Sequence, residues 1–143
     1  MKAPAEATLR GVAVFAATVG VAVAAYIAVA DSGGGAPACI GGGGGCRTVA
    51  ESSHSHLLGV EIAILGVIGY LLLLGAALLR GDGPRMAGFL VALVGFGYSV
   101  FLTYLELFVI DAICQWCVVS ALLMAAIFAV NAARMVRYVG APP

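Results

Sequence analysis

Charge is what this sequence has least of. Acidic and basic residues together make up 10% of its 143 residues and cancel to a formal net charge of zero, where a soluble domain carries roughly a quarter charged residues. With no basic cluster, the chain offers no footing for nucleic acid. No internal repeat is evident. Cysteine is scarce as well, with four residues in two pairs, so any thiol chemistry must be done by those four. What fills the sequence instead is apolar. Hydrophobic residues reach 63% and the mean hydropathy is +1.11, against roughly half apolar in a soluble domain. Such a chain belongs in lipid.

Four apolar stretches, at about residues 10–30, 57–79, 86–110 and 112–136, are each long enough as helices to cross a hydrocarbon core of roughly 30 Å. Little else is left, so the expected fold is an all-α membrane protein. It would be one integral membrane domain over residues 1–143: a four-transmembrane-helix bundle with an outer loop at 31–56 and a short surface helix within that loop. The first stretch ends in Ala28-Val29-Ala30 and follows Lys2, features shared with a secretory signal. Its apolar run is longer than a typical signal core, and a four-helix bundle needs it, so it is read as helix 1.

Orientation follows from seven basic residues. Lys2 and Arg10 precede or open helix 1, Arg80 and Arg85 flank the link between helices 2 and 3, and Arg134 and Arg137 end helix 4. If the chain crosses four times, these six share one face, which the positive-inside rule makes cytoplasmic. The expectation is a multi-pass protein of the plasma (inner) membrane with both termini cytoplasmic. Arg47, the link at Asp111 and all four cysteines then fall on the outer, periplasmic side, where disulfides persist.

The two inter-helix links of any length differ in kind. Arg80-Gly81-Asp82-Gly83-Pro84-Arg85 reads as a short turn broken by Gly and Pro. The loop from Asp31 to His56 is long, and long loops in compact domains are often functional. Its glycine runs, 33–35 and 41–45, cannot bury enough apolar surface to order themselves. After Cys46, Thr48-Val49-Ala50-Glu51 fits a capping box, which places the surface helix at Thr48 to about His54, lying as a lid.

Cys114-Gln115-Trp116-Cys117 opens the last apolar stretch. On a helix the two cysteines lie a turn apart on one face, close enough for a redox disulfide, and the positive end of the helix dipole favours thiolate there. A buried structural pair or half of a metal site are the other readings of this motif. Cys39 and Cys46 are separated by six residues, five of them glycine. A structural disulfide across so small a loop would stabilise little, whereas a flexible loop suits shuttling through mixed disulfides. Structural disulfide, relay and metal site all remain open on the residues alone.

The order of these elements resembles the vitamin K epoxide reductase family in its prokaryotic branch. The resemblance rests on Cys39 and Cys46 after helix 1 and on Cys46-Arg47-Thr48-Val49-Ala50-Glu51-Ser52. It extends to Leu57-Leu58-Gly59-Val60, and to Tyr104-Leu105-Glu106-Leu107-Phe108 leading into Cys114-Gln115-Trp116-Cys117. It covers nearly the whole chain. The resemblance implies a four-helix bundle around a quinone of menaquinone, ubiquinone or vitamin K type near the outer membrane surface. Cys117 would face the quinone ring and Cys114 would complete the active disulfide. Cys46 would exchange with Cys114, and Cys39 would meet a thioredoxin-like dithiol protein. Many prokaryotic members carry that partner as a fused domain. This sequence resembles those without one, which implies a separate partner, soluble or membrane-anchored. The helix dipole by itself favours Cys114 as the more acidic thiol, whereas the resemblance gives the ring-facing role to Cys117.

The resemblance also makes Ser52 the active-site serine, a donor to a ring oxygen or a support for the lid. His54 and Ser55 lie where helix 2 meets the interface, and an imidazole there can supply a proton. Trp116, between the two reactive cysteines, suits a pocket wall or an aromatic belt. Vertebrate members carry an asparagine near Ser55 and a tyrosine where this chain has Ala121; these departures favour a plain respiratory quinone over epoxide reduction. Glu61 and Glu106, inside apolar segments, are read as structural, snorkelling or neutral. The rival from another class is a soft-metal membrane transporter passing Hg or Cu(I) between paired thiolates. A transporter should continue its ligand path inward, and no cysteine or histidine lies in the inner half.

Overall fold

Small side chains decide how this chain packs. Ala13, Ala16, Ala17, Gly20 and Ala24 recur at three- and four-residue spacing along one face of the first helix, and all are buried. Between lipid tails, helices gain little from hiding apolar surface, so association relies on close backbone approach, which small residues permit. The computed structural model describes residues 2–33, 56–57, 60–110 and 115–140. Its elements are α1 (Lys2–Ser32), a short antiparallel pair of strands β1 (His56–Leu57) and β2 (Val60–Glu61), α2 (Ile62–Leu78), α3 (Asp82–Tyr104) and α4 (Gln115–Val139). A π-helical extension, Leu105–Ile110, continues α3.

The four helices stand at the corners of a square: α1 packs on α2 and α4, α3 packs on α2 and α4, and the pairs α1/α3 and α2/α4 are diagonal. The shared core is Ala16, Ala17, Ala24, Tyr70, Leu73, Ala92, Met124 and Ile127. Phe96 stacks on Phe128 at 4.9 Å between α3 and α4. The outside is the greasy surface, with Phe15, Val29, Val94 and Leu122 each about two-thirds or more exposed. A water-facing patch of this kind would aggregate; facing acyl chains, it is the expected arrangement.

Three helical segments, Ala5–Ala30, Asp82–Val109 and Gln115–Val139, are long and apolar enough to cross a membrane. At 17 residues, α2 rises about 26 Å and falls slightly short of a full crossing length, so the described helices account for three of the four expected spans by length and composition.

Several boundaries differ from those read in the sequence. Helix 2 starts at Ile62 rather than Leu57, because His56–Leu57 pairs with Val60–Glu61 in the register His56↔Glu61 and Leu57↔Val60. Apolarity runs unbroken through both conformations and does not report where coiling begins. Helix 3 starts at Asp82, so Gly83, Pro84 and Arg85 form its first turn instead of breaking it. A proline in the first turn lacks only an N–H that has no intrahelical partner there, and the turn itself is made by Gly81 at φ +117°. Helix 1 extends beyond 10–30 at both ends. Helix 4 is described from Gln115 to Val139 rather than over 112–136. The surface helix expected from Thr48 to His54 lies outside the described residues.

One end of the bundle is bound by charge. Arg134 of α4, only 6% exposed, donates through Nε to Glu6 Oε1 of α1 at 2.8 Å. Arg85 of α3 reaches the same oxygen at 3.7 Å and Asp82 at 3.4 Å, with its guanidinium 4.8 Å from the centre of the Tyr138 ring. Arg10 of α1 caps the C-terminus of α2, donating to the carbonyls of Ala77, at 2.6 Å, and Leu78. Three of the six basic residues expected on one face are thus tied together at one end of the square.

Candidate active site

The opposite end carries the cysteine that the structure describes. On α4 the buried residues Met124, Ile127, Asn131 and Arg134 form a core-facing stripe at alternating three- and four-residue steps. Continued toward the N-terminus, the same steps fall on Ser120 and Cys117. Ser120 is placed inward by contact, since Tyr70 Oη of α2 lies 2.8 Å from both its carbonyl oxygen and its Oγ. Cys117 stands one turn beyond, in the first turn of α4 and half-buried. That position faces the bundle interior at its rim.

Trp116 turns to α1, where its ring meets Tyr26 at 5.1 Å and 60°. Tyr26 belongs to the last two turns of α1, so the first turn of α4 sits beside the place where the long loop leaves α1. The strands that lead into α2 and the π-helical end of α3 belong to this end too, because α2 and α3 run antiparallel to their neighbours. The fold therefore brings together Cys117, Trp116 and the chain termini from which the loop residues emanate. Cys39, Cys46, Ser52, His54, Ser55 and Cys114 lie outside the described residues.

Three features at this end were not singled out as site elements by sequence reasoning. The first is the Tyr70–Ser120 contact. The second is Glu106, expected to be structural, snorkelling or neutral, and found 6% exposed in the π-helical turn. A carboxyl buried at membrane depth is costly unless its surroundings answer it, and single π-turns recur at functional sites. The third is a groove of about 160 Å³ between α3 and α4, lined by Phe96, Ser99, Val100, Thr103 and Ala121. Its wall is apolar, and its hydroxyls come from Ser99 and Thr103, the latter donating to the Ser99 carbonyl at 2.8 Å. Ala121 lies one turn past Cys117, so the groove opens just below the sulfur's level. A tyrosine at 121 would occupy this space. The substitution was visible in the sequence; the opening beside it was not, because the other wall comes from α3.

An apolar-skinned helical bundle, charge-bound at one end and presenting a half-buried cysteine at the other, defines a helical protein built for lipid with a thiol at the bundle rim. The vitamin K epoxide reductase family model matches residues 12–132, most of the chain, and the protein belongs to that family. It is accordingly a membrane oxidoreductase. No curated protein matches the chain.

Proposed function

We propose that the chain passes electrons from a thioredoxin-like dithiol protein through its two cysteine pairs to a membrane quinone, and so supports disulfide formation in exported proteins. The observation that carries this reading is the position of Cys117: first turn of α4, core-facing stripe, half-buried, at the loop end of a bundle of this family. Cys114 is the immediate neighbour of Gln115. Cys39 lies six residues past Gly33, a reach of at most roughly 22 Å, less than a bilayer core. Both are tethered to the end that holds Cys117. Six basic residues belong to the opposite end, so the charge bias makes the cysteine end exocytoplasmic.

The exchange balances in three parts. One thiolate of the partner attacks Cys39 and breaks the Cys39–Cys46 bond; the partner's second thiolate then resolves the mixed disulfide, leaving the partner oxidised and Cys39 and Cys46 reduced. Cys46 next attacks Cys114, displacing Cys117 as thiolate, and Cys39 attacks Cys46 to restore the loop disulfide and release Cys114. The residues that would hold a quinone suit an apolar ring with two oxygen acceptors: the Cys117 sulfur, the Trp116 ring, hydroxyls from Ser52 and Ser55, the His54 imidazole, and the apolar groove below. Bound there, it would supply the two-electron, two-proton acceptor that returns Cys114 and Cys117 to a disulfide. With alanine at 121, the reading favours a respiratory quinone of menaquinone or ubiquinone type over epoxide reduction.

Gel-shift alkylation tests this directly. The reduced protein in nanodiscs is treated with quinone, and accessible thiols are then capped with a maleimide polymer. Loss of two cappable thiols with one equivalent of quinone and of all four with excess, both abolished by Cys117→Ser, is the expected outcome. Four thiols that remain cappable with quinone present would overturn the proposal.

A further inference from the structure

We infer that Tyr70 is the floor of the redox pocket: a positioning residue that holds Ser120, and through it the first turn of α4 with Cys117, and that limits how deeply a quinone ring can enter. The inference rests on the proposed function for its substrate and on geometry for everything else.

Tyr70 is 1% exposed and spans the centre of the square. It stems from α2, its hydroxyl reaches α4, the diagonal neighbour, and its ring lies against the backbone of α1. There the bare backbone of Gly20 makes room. A Cβ at that glycine would sit 2.3 Å from Cδ1 and Cε1 of the ring and 2.8 Å from Cγ, closer than non-bonded carbons approach. One side chain thus touches three helices at one level.

Hydrogen bonding at that level is closed. The Tyr70 hydroxyl donates to the Ser120 carbonyl, and the Ser120 hydroxyl can donate back to Tyr70 Oη, both at 2.8 Å. A buried hydroxyl at membrane depth needs such a partner. Here the partner's backbone lies three residues, about 4.5 Å of helix rise, from Cys117. Holding Ser120 O from across the bundle therefore fixes the rotation and height of the turn that presents the sulfur.

Tyr70 divides the core by level. On the charged-end side lie Leu73, Met124 and Ile127 with the small residues Ala16, Ala17 and Ala77, all buried. On the cysteine side the same faces continue with Gly66 on α2, Ala24 on α1, and Ser120 and Cys117 on α4. A ring entering from the rim that carries Cys117 therefore meets the Tyr70 side chain before it can reach that buried core.

The test compares the wild type with Tyr70→Phe, Ser120→Ala and the double variant in detergent micelles or nanodiscs. Thermal unfolding confirms the fold; the phenylalanine keeps the ring. The first readout is the rate at which reduced Cys117 is alkylated in a Cys114→Ser background, with no quinone present. The second is quenching of Trp116 fluorescence by menadione and by a short-tailed ubiquinone. Tyr70→Phe should change the alkylation rate and weaken quenching by about three- to tenfold, the effect of one buried hydrogen bond. The double variant should add little to Tyr70→Phe, since the phenylalanine already removes the hydroxyl contact that Ser120→Ala deletes. Should Tyr70→Phe prove unstable, Ser120→Ala carries the same two readouts with a smaller shift. Unchanged alkylation and quenching in folded variants would reduce Tyr70 to a core ring and overturn the inference. A wild type that neither binds nor reduces quinone, yet shows the altered Cys117 reactivity, would sink the proposed substrate while leaving the positioning role standing.

Discussion

The two ends of this bundle are held by different physics. At one, Glu6, Arg85 and Arg134 join three helices through a shared carboxylate oxygen, Arg10 caps a fourth, and Asn131 donates to the Ile127 carbonyl at 2.9 Å. At the other, hydroxyl contacts and aromatic edges meet around Cys117, and α3 loosens into a π-helix. Charge, once buried, is unforgiving: Arg134 without its partner would be an uncompensated cation inside the protein. The molecule keeps its buried ion pairs at the end away from Cys117 and surrounds that cysteine's turn with hydroxyl and aromatic contacts.

The sharpest way to separate the ends is to disable one and leave the other alone. Cys117→Ser should bring quinone-coupled thiol oxidation to background while thermal unfolding stays within experimental scatter of the wild type, because a serine is nearly isosteric at a half-buried rim position. A comparable loss of stability would mean that the cysteine holds the bundle together.

The reverse experiment acts on the charged end. Glu6→Gln leaves Arg134 buried without a countercharge and should cost about 3 kcal/mol, lessened because Glu6 itself is about one-third exposed. Unfolding in a denaturing-detergent titration reads the loss. Turnover per folded molecule should stay near that of the wild type. A drop in kcat at full folding would show that the two ends are coupled and break the division drawn above.

How much of this was legible in the residues follows the same division. Apolar length and charge placement located the helices and gathered Arg10, Arg85 and Arg134 on one side, since both properties are summed along the chain. Cys117 could be placed because its motif is local. Glu6 and Arg134 are 128 residues apart, and Tyr70 and Ser120 are 50 apart. No local pattern pairs them. Helix faces were also hard to read, because lipid makes the outside as apolar as the core and erases the polar stripe that marks a surface helix in water. The small-residue stripe of α1 is what replaces that signal. The start of α2 was misplaced at Leu57 for a related reason: leucine and valine serve a strand as well as a helix, and hydropathy cannot separate them.

The groove beside Cys117 offers a smaller perturbation. Ala121→Tyr would place a phenol among Phe96, Ser99, Val100 and Thr103. It should raise KM for short-tailed ubiquinone by about tenfold, the scale of one lost apolar contact region, with kcat and stability little altered. Enhanced quinone affinity instead would mean that the groove is too open in the natural chain and that the added hydroxyl completes it.

The smallest expected effect contrasts two glycines of the same core. At Gly20 a methyl group meets the rigid Tyr70 ring, whereas at Gly95 it meets Sδ and Cε of Met124 at 2.9 Å. A thioether end can swing aside, since methionine has three rotatable bonds and fills irregular space. Gly20→Ala should therefore cost about 2 kcal/mol by overpacking, and Gly95→Ala less than about 1 kcal/mol, offset in part by the helix propensity alanine adds. Parallel unfolding curves measure the gap. Equal costs would show that the Met124 side chain is held as firmly as the tyrosine ring.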